Sequence, residues 1–361
     1  MLLLTKDADD IFKLELQNSE KQKKKFSKFP VPPFSVGEEY LGFGKNFLGL
    51  PFDKKIEYWT KDWFQNPQAY LRLKDESLVY TEGDFICFPS ILDKSQLARF
   101  QYSAQPVGTP GNKVALIHVM HWNARLSAYD KVIKFIRNTG LPISTLIHIP
   151  AGRGLNPGTD APSDYRAVSP NVGLTVFQTR QDVYDLQMMA KYLKKNLGYK
   201  QVGLFSYSIG SLRAMIAAMV NPGLFDFGVF HLVADDYTEA FMNGIATEHM
   251  AKLVKGKIDN KLLSKIWSTI SPGAYKDFFK FLPPSSRVVQ AEYDYVFGPN
   301  NVKRFTEKIK KVRPDIELEI VPTSHSTFGY IPLGAEVMWR DLKFIYNHTD
   351  MKQYKRSKLF I

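Results

Sequence analysis

From residue 77 to residue 346 the chain alternates short apolar runs with longer stretches of helical spacing. Residues 77–89 alternate apolar and polar positions around Glu82-Gly83-Asp84, which predicts a β-hairpin, and 97–103 is a further strand candidate. Residues 113–120 (KVALIHVM) follow Pro110-Gly111-Asn112 and read as a buried strand, with a helix over 127–138. Residues 143–149 are the next buried strand, and a polar, Gly- and Pro-rich loop covers 150–171. Residues 174–197 place Val176, Val183, Leu186, Met189, Ala190 and Leu193 on one side of a helix. A strand over 202–205, a sharp turn and a helix over 212–219 follow, then a strand over 227–233. Residues 238–281 are largely helical and basic, broken by Ser271-Pro272-Gly273. A strand (287–291), a helix (300–311), a last strand (316–321) and a closing helix (334–346) complete the pattern. Such alternation implies crossover connections: an α/β fold with a mainly parallel sheet, helices on both faces and antiparallel pairing at one edge.

Residues 1–75 read as an N-terminal extension ahead of a domain spanning 76–361, which carries a helical, lid-like insertion at about 236–285. The extension holds Lys21, Lys23, Lys24, Lys25 and Lys28 with no acid among them, then Pro30 to Pro33, a Gly-rich aromatic piece over 41–52 and another aromatic run over 62–70. A solvated face or loop is the ordinary role of such lysines; the alternative is peripheral membrane contact, with Phe47, Leu48, Leu50 and Phe52 dipping into the interface.

The 361 residues are 44% hydrophobic and 14% aromatic, enough for one large core. The net charge of +12 is compatible with an anionic partner. No finger, knuckle or Gly-rich phosphate loop accompanies it, so no nucleic-acid partner is expected. The single Cys87 excludes an internal disulfide and, in the apolar run 85–88, reads as a small buried hydrophobe. The apolar start MLLL is too short for a signal peptide and no segment is apolar enough to span a bilayer, so the expected compartment is the cytoplasm.

Candidate chemistry centres on residues 200–219, KQVGLFSYSIGSLRAMIAAM. Ser208 sits at the strand-to-helix turn between Ser206 and Gly210, approximating the G-x-S-x-G nucleophile elbow with Ser in place of the first Gly. So tight a turn strains the nucleophile's backbone and brings strand and helix close together, so the residues two before and two after must be small. Ser206 as nucleophile would put Leu204 at a flank, and Leu204 is too large. The following helix points its N-terminus at the site, which favours developing negative charge. In open parallel sheets, functional groups gather outside the carboxyl ends of the strands. The loop after 287–291 carries Asp294, and the loop after 316–321 carries His325. Taken singly, Asp294 also reads as an Asx-turn and His325 as a hydrogen-bonded loop histidine; Glu292, Asp235 and Asp236 are rival acids.

Ser208, Asp294 and His325, in that order and each just past a strand, resemble the α/β-hydrolase fold serine hydrolases (esterases, lipases and thioesterases) over about residues 77–346. Asp294 lies 86 residues after Ser208 and His325 a further 31, which leaves room for a strand with a helical insertion and then one helix with one strand. The resemblance implies an acyl-enzyme on Ser208, with His325 as base and Asp294 as the acid that orients it. It implies an oxyanion hole from the N–H of Ile209 and a second donor in His121-Trp122-Asn123-Ala124, where Trp122 and Asn123 are the candidates; the family often has His-Gly there. His-Trp-Asn-Ala, followed after the next strand by a loop with Gly152-Arg153-Gly154, is similar to a bacterial branch of the family; Arg153 either binds substrate or braces its loop. Position assigns His121 to the oxyanion loop.

The expected function is hydrolysis of a small-molecule carboxylic ester or thioester, with short to medium acyl groups preferred over peptides. Acyl transfer by the same three residues and a non-catalytic binding role on a hydrolase scaffold are the alternatives. Residues 238–281 lie between the sixth and seventh sheet strands, where many members of the family carry a lid. Phe241, Met242, Met250, Leu253, Trp267, Tyr275, Phe278 and Phe279 either line an acyl pocket there or are ordinary core. No nucleotide cofactor is implied, and no His/Asp/Glu group has metal-ligand spacing in the sequence.

Overall fold

The structure is a computed structural model that describes residues 8–26, 31–43, 49–73, 79–82, 84–89, 92, 97–103, 113–122, 126–149 and 168–353. Its frame is one nine-stranded sheet: β1 (Tyr80–Glu82), β2 (Phe85–Pro89), β3 (Leu97–Ser103), β4 (Val114–Val119), β5 (Ile143–Ile149), β6 (Gln201–Tyr207), β7 (Phe227–His231), β8 (Ser285–Tyr293) and β9 (Glu317–Ser324). The strands lie in the order β1-β2-β3-β5-β4-β6-β7-β8-β9. β1, β2 and β3 pair antiparallel with one another and β3 antiparallel with β5, whereas every pair from β5 to β9 is parallel. The expected antiparallel edge is therefore present. β4 and β5 are buried at every position, as continuous apolar strands covered on both faces must be. β9 forms the outer edge and turns Glu317 and Ile320 to solvent.

One face is covered by α5 (Leu126–Asn138) and α12 (Leu333–Asn347), whose Ile136, Leu342 and Ile345 pack on Val114, Leu116 and Phe227. The other is covered by α6 (Val172–Lys195), α7 (Ile209–Val220) and α11 (Pro299–Val312). Helix α7 is buried at all its residues, which fits its Ala- and Met-rich composition: it lies against β6 on one side and α6 on the other.

The helical insertion falls between β7 and β8 in the nine-strand count and consists of α8 (Tyr237–Asn243), α9 (Glu248–Val254), α10 (Asn260–Ser268) and a 3-10 segment (Pro272–Phe281). Asp236 and Asp259 cap α8 and α10, each accepting two backbone N–H groups. Phe241, Met250, Trp267, Tyr275 and Phe279 are core residues here, each at most 1% exposed.

The described residues before 76 form four helices that the sequence pattern did not single out: α1 (Ala8–Phe26), α2 (Glu38–Leu41), α3 (Phe52–Gln65) and α4 (Pro67–Leu71). Trp59 and Trp63 of α3 are fully buried in the main core, and the Trp63 indole donates to the Tyr275 hydroxyl at 2.6 Å. Phe52 packs against that core as well, which takes it away from the membrane-facing set. Phe47, Leu48 and Lys28 lie outside the described residues; Lys21 and Lys24 are exposed on α1. Among the described residues no helix is long and apolar enough to cross a membrane.

Candidate active site

The elbow is a consequence of close packing. Ser208 follows β6 and sits at the N-cap position of α7 with φ 56° and ψ −131°, a positive-φ conformation rarely adopted by a residue with a side chain. Its backbone is over-determined: the Ser208 N–H donates to the His231 carbonyl at 3.0 Å, and the Ser208 carbonyl accepts from the Ser211 N–H at 2.8 Å. The Ser211 hydroxyl donates to the same His231 carbonyl at 2.7 Å. At Gly210 an added Cβ would lie 2.6 Å from the Val119 carbonyl oxygen and 2.7 Å from that of Met120. A side chain there would push α7 off the end of β4, so the requirement for a small residue two positions after the serine has a direct cause. Two positions before it, Ser206 is fully buried and its hydroxyl donates to the Val229 carbonyl at 3.3 Å, a partner that accommodates Ser where the motif has Gly.

At the carboxyl end of the sheet the three predicted side chains meet. His325 Nε2 lies 2.8 Å from Ser208 Oγ and His325 Nδ1 lies 2.8 Å from Asp294 Oδ2. With a carboxylate accepting at Nδ1, that nitrogen carries the proton and Nε2 accepts the serine hydroxyl. Asp294 is fully buried, and its other oxygen accepts the N–H groups of Val296 (3.0 Å) and Phe297 (2.8 Å). The Asx-turn reading and the histidine-partner reading of Asp294 are thus both realised, one on each oxygen. The Phe297 ring stands edge-on to the imidazole at 4.8 Å. Burial pulls the His325 pKa down, but the charge and hydrogen bond of Asp294, with a further contribution from Glu15, outweigh it and leave the imidazole above its ordinary value.

The rival acids have other partners. Glu292 is exposed, Asp235 is paired with Lys308 at 2.7 Å, and Asp236 caps α8. Ile209 opens α7 directly after the serine, with its side chain buried. Trp122 lies just past β4, half-buried against the core. His121 Nδ1 lies 3.0 Å from the Tyr129 hydroxyl. Asn123 and residues 152–154, with Arg153, lie outside the described residues.

The structure adds residues that motif reading missed. His231 braces the elbow through its carbonyl, and its ring nitrogens face the Ser206 carbonyl (2.9 Å) and Asp341 Oδ2 (2.8 Å). Arg287 donates to the other Asp341 oxygen at 2.9 Å and pairs with Glu317 and Glu319 on the neighbouring edge strand. An imidazole inside the apolar run 227–233 was the available signal, since a buried polar ring needs partners. Glu15 on α1 is fully buried and binds Ser326, next to His325.

A second polar cluster lies beneath α7. His148, Asp182 and Asp185 come close enough to share a cation, an assembly from β5 and α6 that linear spacing does not reveal. Arg213 Nη1 already lies 2.5 Å from Asp182 Oδ2. Gln178 and Gln181 donate to one oxygen of each aspartate.

No protein-family model matches the chain, and no curated protein sequence matches it. Solved structures do. The dipeptidyl peptidase 4 of Porphyromonas gingivalis superposes with a TM-score of 0.50 at 13% identity, over 76% of this chain and 36% of that one. The Pyrococcus furiosus esterase Pf2001 gives 0.48 at 15% identity over 89% and 97% of the two chains. Acetyl xylan esterase 1 from Thermoanaerobacterium sp. JW/SL YS485 gives 0.48 at 14% over 86% and 99%. With its sheet order and strand-to-helix turn, the chain has the α/β-hydrolase fold.

Proposed function

We propose that the protein is a serine hydrolase that cleaves a carboxylic ester or thioester through an acyl-enzyme on Ser208. The observation that carries this reading is the unbroken chain Ser208–His325–Asp294, with both links at 2.8 Å. A serine hydroxyl is a poor nucleophile at its ordinary pKa; a base within hydrogen-bond reach removes its proton as the bond to the acyl carbon forms. His325 then returns the proton to the leaving alcohol or thiol, and repeats the cycle with water to release the acid. Asp294 fixes the tautomer and stabilises the imidazolium. The Ile209 N–H, at the start of α7, and a donor from Trp122 or Asn123 would take the developing oxyanion.

The substrate is proposed to be a small-molecule ester with a short to medium acyl chain. In support, Phe241, Met250, Trp267, Tyr275 and Phe279 of the insertion are packed into the core, each at most 1% exposed. Screening p-nitrophenyl esters of graded chain length tests this. Turnover greatest for the shorter acyl groups and lost in Ser208→Ala is expected; cleavage of peptides alone would overturn the ester assignment.

A further inference from the structure

Helix α1 reaches the site from outside the sheet. Among its described side chains the buried positions are Ile11, Glu15 and Ser19, at four-residue spacing, about one turn apart, so they form a stripe. Only the first is apolar, although a helix packed on a protein body normally buries an apolar face. The two polar members are matched to loops at the site. Glu15 accepts the Ser326 backbone N–H at 2.5 Å through Oε1 and the Ser326 hydroxyl at 2.6 Å through Oε2. The Ser19 hydroxyl donates to the Ile245 carbonyl at 2.8 Å, and Ile245 in turn donates its N–H to the Tyr295 carbonyl at 3.3 Å. The Phe12 ring meets the Tyr295 ring at 4.6 Å. One helix therefore touches the residue after Asp294 and the residue after His325.

We propose that Glu15 is a positioning residue for the base of the site: by gripping both donors of Ser326 it fixes the backbone that follows His325 and holds the imidazole on Ser208. This rests on the reading of Ser208, His325 and Asp294 as a catalytic triad. A buried carboxylate is costly unless it is hydrogen-bonded, and two bonds to a single residue define that residue's peptide plane and side-chain rotamer together. A small displacement of the loop would break the Nε2 contact, and misplacement of a catalytic group by about 1 Å can cost on the order of 100-fold in rate. The second effect is electrostatic. The charged groups acting on His325 are Asp294, from the loop between β8 and α11, and Glu15, from α1; both favour the imidazolium against burial.

The test uses the full chain with Glu15→Gln, which keeps an acceptor oxygen but no charge, and Glu15→Ala, which removes both. Two quantities are followed against pH: the rate at which a fluorophosphonate reacts at Ser208, and the NMR titration midpoint of the His325 ring. Thermal melting establishes that each variant is folded. For Glu15→Gln both midpoints should fall, with the plateau rate largely kept. For Glu15→Ala the plateau rate should fall roughly 10–100-fold. An unchanged His325 midpoint in folded Glu15→Gln overturns the proposal, as does a plateau rate for folded Glu15→Ala within about twofold of wild type. Wild type that never reacts with the probe would defeat the nucleophile assignment instead; the NMR midpoint then decides the role of Glu15 by itself, a fall supporting it and no change overturning it.

Discussion

A serine held at φ 56° costs about 1–3 kcal/mol of backbone strain, and the His231 carbonyl and the start of α7 supply the contacts that keep it there. The same packing makes Gly210 the most sensitive small residue of the turn. Gly210→Ala should either prevent folding or abolish probe reaction at Ser208, because the added methyl meets two backbone carbonyls that cannot swing aside; melting curves and probe labelling distinguish the two. Asp294 has two jobs, one per oxygen. Asp294→Asn should lower the hydrolysis rate by about 10³-fold or more through loss of the tautomer-fixing anion, measured as kcat/KM on whichever ester proves best. Since Asp294 and Glu15 together outweigh burial at His325, the wild-type pH profile should rise through a midpoint above the ordinary histidine value of about 6.5. Ser208, Asp294 and His325 were legible in the sequence because each follows an apolar strand on a loop of small or polar residues. Glu15 was not: a single acid in an extension lacking any strand pattern gives no hint of a partner 311 positions away. Asp294 looked ambiguous only because two compatible hydrogen-bonding roles were weighed as rivals.

At the scale of elements, α6 and α7 bury charge as well as apolar surface. The spacing of Val176, Val183, Leu186, Met189, Ala190 and Leu193 revealed the α6 helix, but not that Gln178, Gln181, Asp182 and Asp185, within and beside that stripe, are also buried, against β5 and α7. Sequence periodicity reports an apolar stripe; it does not report polar residues that satisfy each other inside. Arg213→Met should destabilise the fold by about 3–5 kcal/mol, since it strands Asp182 without a counter-charge; urea denaturation measures it. Asp185 adds a pH dependence. Burial lifts its pKa to about 8 in the folded state, above the unfolded carboxylate value of about 4. The folded protein therefore holds that proton longer, so this contribution to stability is complete below about pH 4 and is lost as pH rises through about 8. Asp185→Asn should flatten the fall in melting temperature between about pH 5 and 9; an unaltered slope would contradict the assignment. Helix α3 was missed although Phe52, Ile56, Trp59 and Trp63 fall at helical spacing: its aromatic residues read as a run, and the contact of Trp63 with Tyr275 of the insertion is one that local pattern cannot show.

For the whole molecule, alternating strand and helix patterns specified a parallel sheet with an antiparallel edge, and strand ends then specified where chemistry would gather. What the pattern left open was how far residues 38–71 join the rest. Trp59, Trp63 and Leu71 share one continuous core with α6, α7 and the insertion. Trp63→Ala should accordingly cost about 3–5 kcal/mol in a single transition seen alike by tryptophan fluorescence and circular dichroism; an early, separate transition would show that this region folds apart from the sheet. The central claim remains that Ser208, His325 and Asp294, distant in the sequence, act together with the Ser208 hydroxyl as nucleophile. Its most direct measurement is the mass and position of the covalent adduct after treatment with a fluorophosphonate. The account predicts one adduct per chain, on Ser208, absent from Ser208→Ala and formed far more slowly in His325→Ala. An adduct on another residue, or none on folded wild type across the pH range, would contradict it.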